Sequence, residues 1–404
     1  MDTTSHSPPL ALAALSLSTL LAALGTSIAN VGLPALSAHF AAPYARIQWI
    51  VLAYLLASTA VALAAGRLGD RYGRRRVLLG GIALFGAASL ACGLAPSLPW
   101  LVAARGVQGI GAAAMLALTL PFVADTLPEG RSGRAIGLLG TVSAAGTALG
   151  PVLGGAVLGG FGWRALFLAL APLGVLAFVL AWRSLPAGHS RAAGRGEPMA
   201  RPWGPLLANG AMTAVVMATL VIGPFHLTRT LGLDSAAVGL AMACGPLAAA
   251  LAGVPAGRAV DRHGAGPVAR AGLACAAAGA ALLACLPAAA GIAGYVVPLA
   301  ALSTGYALFQ AANSNALMAA CEARQRGAVS GLLALSRNLG LIAGASAMGM
   351  LFAAAGMRMA FLAALLLVAL AFLAWRFSGM RDARRAASGD ECRAARSGRG
   401  RDRP

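Results

Sequence analysis

Gly66-Arg67-Leu68-Gly69-Asp70-Arg71-Tyr72-Gly73-Arg74-Arg75-Arg76 sets five arginines and three glycines between two apolar runs, Ile47 to Ala65 and Val77 to Ala95. The pattern returns. Gly66, Asp70, Arg71 and Gly73 recur 191 residues later as Gly257, Asp261, Arg262 and Gly264, again between apolar runs. Gly137, Gly146 and Gly150 recur 194 residues later as Gly331, Gly340 and Gly344. Two ordered sets at nearly one offset indicate a duplicated unit, and duplicated helical units in a membrane chain place a binding site between the repeats and alternate its access by rocking.

The flanking composition agrees. Hydrophobic types make up 59% of the 404 residues and charged types 11%, against roughly 25% charged in soluble domains. With Gly at 52 positions and a mean hydropathy of +0.78, packed helices in lipid are expected and a soluble enzyme is not. A helix needs about 20 apolar residues to cross ~30 Å of hydrocarbon. Twelve such stretches follow one another, the first from Leu10 to Leu33 and the last from Met359 to Phe377. The first is too long for a signal-peptide core and no Arg or Lys precedes it, so it reads as span 1. The fold expected is an all-α integral membrane protein of two pseudo-symmetric six-helix bundles, residues 1–182 and 204–378. A linker at 183–203 joins them, and a basic, disordered tail occupies 379–404.

All 31 basic residues are arginine, and the net charge is +19. With the N-terminus inside, 25 arginines fall in cytoplasmic segments and four on the other side, which places both termini in the cytoplasm of an inner membrane. The arginine collar suits anionic membrane lipids, and no nucleic-acid partner is expected. The six cysteines and five histidines show no metal-ligand or triad spacing, so no metal, cofactor or enzyme activity is expected.

The Gly66 to Arg76 loop matches the G-x-L-x-D-R-x-G-R-R/K signature of the major facilitator superfamily and resembles it at every defined position. That resemblance implies a conformational lock of Gly66, Asp70, Arg71, Gly73 and Arg74, with Asp261 and Arg262 in the second copy. In it, Asp70 meets the start of span 11 near Gly327 and holds the outward-facing state. A plain arginine-rich turn is the competing reading. Arg105-Gly106-Val107-Gln108-Gly109 in span 4 is similar to the R-x-x-Q-G element of drug:proton antiporters, which implies a part in proton transfer. A structural hydrogen-bond role for Arg105 and Gln108 stands beside it. Gly146-Thr147-Ala148-Leu149-Gly150-Pro151-Val152-Leu153-Gly154-Gly155 resembles the antiporter signature G-x-x-x-G-P-x-x-G-G, which implies export. Its glycines permit close backbone approach and Pro151 bends the helix. Gln48 to Tyr54 and Gly162-Trp163-Arg164-Ala165-Leu166-Phe167 continue the likeness.

Span 1 departs from the family. Leu24-Gly25-Thr26-Ser27-Ile28-Ala29-Asn30-Val31 carries Gly25 where those antiporters have an aspartate, a candidate proton carrier. None of the twelve acids lies at mid-membrane. Arg105 and Arg337 do lie within spans, and a charge there marks a functional site by default. A cavity holding both, without a counter-ion, is expected to prefer anionic or neutral amphiphiles. The competing reading is that Arg337 bonds backbone carbonyls. Further polar candidates are Thr26 and Asn30, and Tyr306, Gln310 and Asn313 in span 10, which either line a cavity or bond a neighbouring helix.

The function expected is secondary-active export of small amphiphilic molecules, drugs or natural products, by alternating access with proton antiport. The partners are a small-molecule substrate and protons. Alternatives are a narrow-specificity metabolite exporter, an uncoupled facilitator, and a non-transporting receptor or scaffold.

Overall fold

In hydrocarbon a backbone must bond within itself, so uninterrupted apolar sequence becomes helix. The computed structural model describes residues 8–126, 132–185, 203–285, 290–320 and 326–398, and among them the regular elements are all helical. The first half holds α1 (Pro8–His39), α2 (Tyr44–Ile47), α3 (Trp49–Tyr72), α4 (Arg74–Gly93), α5 (Leu98–Thr126), α6 (Ser132–Phe161), α7 (Trp163–Leu168) and α8 (Leu170–Ser184). The second holds α9 (Trp203–Arg229), α10 (Ser235–His263), α11 (Ala265–Ala284), α12 (Gly291–Ala319), α13 (Arg326–Ala343), a π-helical turn (Gly344–Met348) and α14 (Gly349–Gly398).

Ten stretches of the described residues are long and apolar enough to cross a membrane. One of them, Gly331–Arg376, contains two crossings, because Gly356 (φ 80, ψ −178) breaks the helix. Helix α6 adds another crossing, whose apolar part is Ala145–Phe161. The described residues therefore make twelve crossings, the number expected from the sequence. Leu251, Leu240 and Val175 are 79%, 65% and 63% exposed, a surface that suits lipid and not water.

The two halves pack by one plan. In the first, α1 packs on α6 and α8, α3 on α5, and α4 on α5 and α8; in the second, α9 packs on α13 and α14, α10 on α12, and α11 on α12 and α14. The joints repeat too. Gly73 (φ 91) turns α3 into α4 and Gly264 (φ 82) turns α10 into α11, left-handed conformations that only glycine adopts without strain. Gly162 (φ 76) and Gly356 (φ 80) form a second such pair, 194 residues apart.

Close backbone contact holds each half together. A Cβ on Gly340 would run into the Gly210 carbonyl on α9, and one on Gly344 into the Ala214 carbonyl. Their counterparts Gly146 and Gly150 on α6 meet α1 at Leu20, Ala23 and Ser27. The linker expected at 183–203 lies outside the described residues from 186 to 202. Helix α14 continues to Gly398, so helix runs through most of 379–404, where the sequence reading expects disorder. The Ala and Arg of that segment are strong helix formers.

We predict that Gly340→Ile, which forces α13 off α9, lowers the thermal midpoint of the detergent-solubilised chain by an amount equivalent to about 1–3 kcal/mol. Gly331, with no atom within 4 Å of its would-be Cβ, is the control. Gly331→Ala leaves the midpoint unchanged or raises it.

Candidate functional site

The crossings alternate, so one end of the molecule carries residues 66–76, 183–185 and 257–264, and is arginine-rich. The other, arginine-poor end carries residues 40–48, 162, 230–234 and 356. Contacts between the halves are found at the arginine-poor end. Gly155 of α6 lies against the Ser235 carbonyl and, across a 2.8 Å Cβ gap, the Gly239 Cα of α10; a Cβ on Gly239 would lie 2.5 Å from the Pro151 carbonyl. The ten-residue glycine run is thus divided. Gly146, Gly150 and Gly154 face α1 in their own half, and Gly155 faces the other half.

A second contact was not foreseen from the sequence. Tyr44, on the short α2, donates its hydroxyl to the Ala345 carbonyl in the π turn at 2.9 Å, and its ring meets Phe225 edge-on at 5.6 Å. Gly349 leaves the space that the Tyr44 hydroxyl fills. A π turn shifts the i→i−4 ladder by a residue, and Tyr44 bonds one of its carbonyls from the opposite half.

Arg105 is fully buried in the first half. Its Nε donates to the Ile50 carbonyl at 3.0 Å, and one terminal nitrogen donates to the Gly25 carbonyl at 3.0 Å and to Gln108 Oε1 at 2.6 Å. Gln108 Nε2 then donates to Ser89 Oγ (2.7 Å), whose hydroxyl donates to the Phe85 carbonyl (2.7 Å). The guanidinium stacks over the Tyr54 ring at 4.3 Å, and Tyr54 donates to the Ala22 carbonyl at 2.9 Å. The sequence element explains the assembly. Gly109 has the α3 backbone at Tyr54 where a Cβ would stand, and that approach brings the Ile50 carbonyl into reach. The other terminal nitrogen, Nη2, has no partner. Arg105 therefore joins α1, α3, α4 and α5 as a sealed core group, which corrects the expectation that it shares a cavity with Arg337.

Gly25 stands within this cage. A Cβ there would lie 3.1 Å from the Phe85 ring and 3.2 Å from the Tyr54 hydroxyl. The position where the resembling antiporters have an aspartate is thus filled here by ring and phenol, and its carbonyl serves Arg105.

The other polar candidates fall into two groups. Asn313 and Asn30 are buried: Asn313 donates to the Pro205 carbonyl of α9 at 3.2 Å, and Asn30 to the Thr26 carbonyl at 3.4 Å. Thr26 bonds its own helix at the Ala22 carbonyl. Tyr306 and Gln310 are half-buried, and Gln310 Oε1 has no partner. Around the start of α9 lies a polar junction that the sequence reading missed. Asn209 donates to the Leu333 carbonyl and to Ser336 Oγ of α13, and Ser336 donates to the Leu206 carbonyl at 2.5 Å. Arg337 is exposed on α13.

At the arginine-rich end, Arg75 donates to the Trp182 carbonyl at 2.5 Å and ties α4 to α8. Arg71 lies 5.4 Å over the Tyr72 ring. Gly66 and Gly257 have open space, and Arg262 and Asp261 end α10. The side chains of Asp70 and of the residues around Gly327 lie outside the described set, so the expected lock falls there. Among the described residues no His, Cys, Asp and Glu group could hold a metal.

The Major Facilitator Superfamily model matches residues 15–223 and again 206–394. The chain is 42% identical over 158 residues to the multidrug resistance protein Stp of Mycobacterium tuberculosis (strain CDC 1551 / Oshkosh), covering 39% of this chain and 29% of that protein. It is 38% identical over 226 residues to the cephamycin export protein CmcT of Amycolatopsis lactamdurans, covering 55% of this chain and 44% of that protein. Each match thus spans less than half the length of the relative. Among solved structures, a bacterial homolog to the human lysosomal transporter Spinster, in an inward-facing and occupied conformation, superposes with a TM-score of 0.77 at 19% identity. That likeness covers 91% of this chain and 96% of the other.

Arg105→Ala leaves Gln108 Oε1 a buried orphan, at about 1–3 kcal/mol, and removes the second bond to the Gly25 and Ile50 carbonyls, which keep their own intrahelical donors. The expected outcome is a large fall in thermal midpoint, partly recovered by Arg105→Lys, measured by unfolding of the purified chain.

Proposed function

Because the chain belongs to the Major Facilitator Superfamily of membrane transporters, we propose that it exports small amphiphilic molecules by alternating access. The observation that carries this reading is the pair of like-built halves meeting through Gly155, Gly239, Tyr44 and Ala345 at the arginine-poor end. A smooth glycine contact can act as a pivot, and one cross-bundle hydrogen bond can break and reform. The direction of transport is supported by the glycine run on α6 and by relatives named for multidrug resistance and for cephamycin export. In this reading the arginine-rich end faces the cytoplasm of the inner membrane, both termini lie inside, and the space between the halves opens inward.

Proton antiport belongs to the proposal, with a different carrier from the resembling antiporters. With Gly25 in place of their acid, the groups left to move protons are Asp70 and Asp125, near the arginine-rich ends of α3 and α5, and Glu322, which lies outside the described residues. Proton entry supplies about 2.3 kcal/mol per charge per 100 mV. The export of cephamycin by one relative also favours a narrow-specificity reading. Growth protection against several unrelated compounds supports broad export; protection against one chemical class supports the narrow one. Export from vesicles that is unchanged when the pH gradient is collapsed contradicts proton antiport and favours facilitated efflux.

Tyr44→Phe removes the hydroxyl from the Ala345 carbonyl and keeps the ring packing. The expected shift is about 1 kcal/mol, or roughly fivefold, toward the state open at the arginine-poor end. Thiol labelling of a cysteine introduced at Phe352, whose ring lies 6.2 Å from that of Phe225, reads it.

A further inference from the structure

Helix α13 has three distinct faces at 100° per residue. Leu333, Ser336, Gly340 and the following Gly344 face α9, through the Asn209 and Leu206 hydrogen bonds and the Gly210 contact. Leu332, Leu335 and Leu339 form an apolar face, with Leu339 54% exposed, suited to lipid. On the remaining face stand Arg337, exposed, the half-buried Asn338 and Leu341, and two exposed small residues, Gly331 and Ala334. Gly331 has nothing within 4 Å of its would-be Cβ, so this face borders open space.

Arg337 lies eleven residues beyond the start of α13, about 16 Å along it and near the middle of the span. An arginine at that depth costs several kcal/mol against lipid, so an exposed one faces water or protein-lined space. The apolar face takes the lipid side, which leaves Arg337 toward the gap between the halves, where α3 packs against α13. The acids of the described residues stand at helix ends, in the α10 cap at Asp234, or in α14 beyond Arg376. Mid-span, Arg337 therefore has no fixed counter-charge among them, and Arg105 is sealed in its own cage.

From this we propose that Arg337, flanked by Asn338, is an anion subsite in the gap, taking the carboxylate of a monoanionic amphiphile whose apolar body lies against α3 and α13. The guanidinium fork matches a carboxylate with two parallel N–H bonds, and Asn338 supplies a further donor. The gap's positive charge rejects lipophilic cations. This inference deepens the transport reading and rests on it for the ligand's route.

The test is equilibrium binding, which separates the site from the transport reading. The full chain in phosphatidylcholine nanodiscs is titrated with a fluorescent fatty acid and with its methyl ester. The wild type is expected to bind the acid at least tenfold more tightly than the ester. Arg337→Gln removes that preference without changing ester binding, and Arg337→Lys keeps part of it. An anionic lipid headgroup offers the same chemistry: competition by added phosphatidylglycerol in the wild type, absent in Arg337→Gln, assigns the subsite to lipid as well. Equal binding of acid and ester by the wild type, or a preference that survives Arg337→Gln, overturns the proposal. A normal binding preference without vesicle export counts against the transport reading and leaves the subsite standing.

Discussion

Close approach of helix backbones through glycine is the contact on which the rest of this molecule depends. Lipid tails are as apolar as the side chains, so helices gain little from hydrophobic burial against one another and must associate by packing and hydrogen bonding. Glycine removes the Cβ that keeps backbones apart. Gly146 and Gly150 let α6 lie on α1, Gly340 and Gly344 let α13 lie on α9, and Gly109 brings α3 onto α5. The same device crosses between the halves at Gly155 and Gly239. There, glycine meets glycine and backbone lies on backbone with no side chain between them.

Polar groups in the interior follow from these approaches. Arg105 reaches two carbonyls because Gly109 has drawn α3 near, and Gly25 offers its own carbonyl because no side chain stands there. In the second half the equivalent work falls to neutral groups, Asn209, Asn313 and Ser336, which join α9 to α12 and α13. The halves are alike in packing and unlike in charge. A buried cation holds one together, and in the other an arginine is exposed on α13.

The crossings, the duplication and the loop glycines were legible in the sequence because each is a local property. An apolar run becomes a helix in lipid, and Gly73 and Gly264 must be glycine to hold a positive φ. A further repeat was present but unread: Gly162, Arg164 and Phe167 return as Gly356, Arg358 and Phe361, and both phenylalanines are fully buried. What sequence could not supply was the neighbour of each helix face. Arg105 and Arg337 look alike as charges within spans, yet one is enclosed by three other helices and the other stands open, a difference set by packing. Tyr44 opens the short α2 between two spans, and its partner is the carbonyl of a π turn with no local signature.

Two like halves that rock about their arginine-poor contact must move their two ends in opposite senses. The most direct measurement is a pair of spin-label distances in lipid, one between positions 161 and 236 at the arginine-poor end and one between positions 67 and 258 at the arginine-rich end. On adding a transported compound, opposite changes are expected, one distance lengthening as the other shortens. Two distances that stay fixed, or that lengthen together, would contradict the rocking.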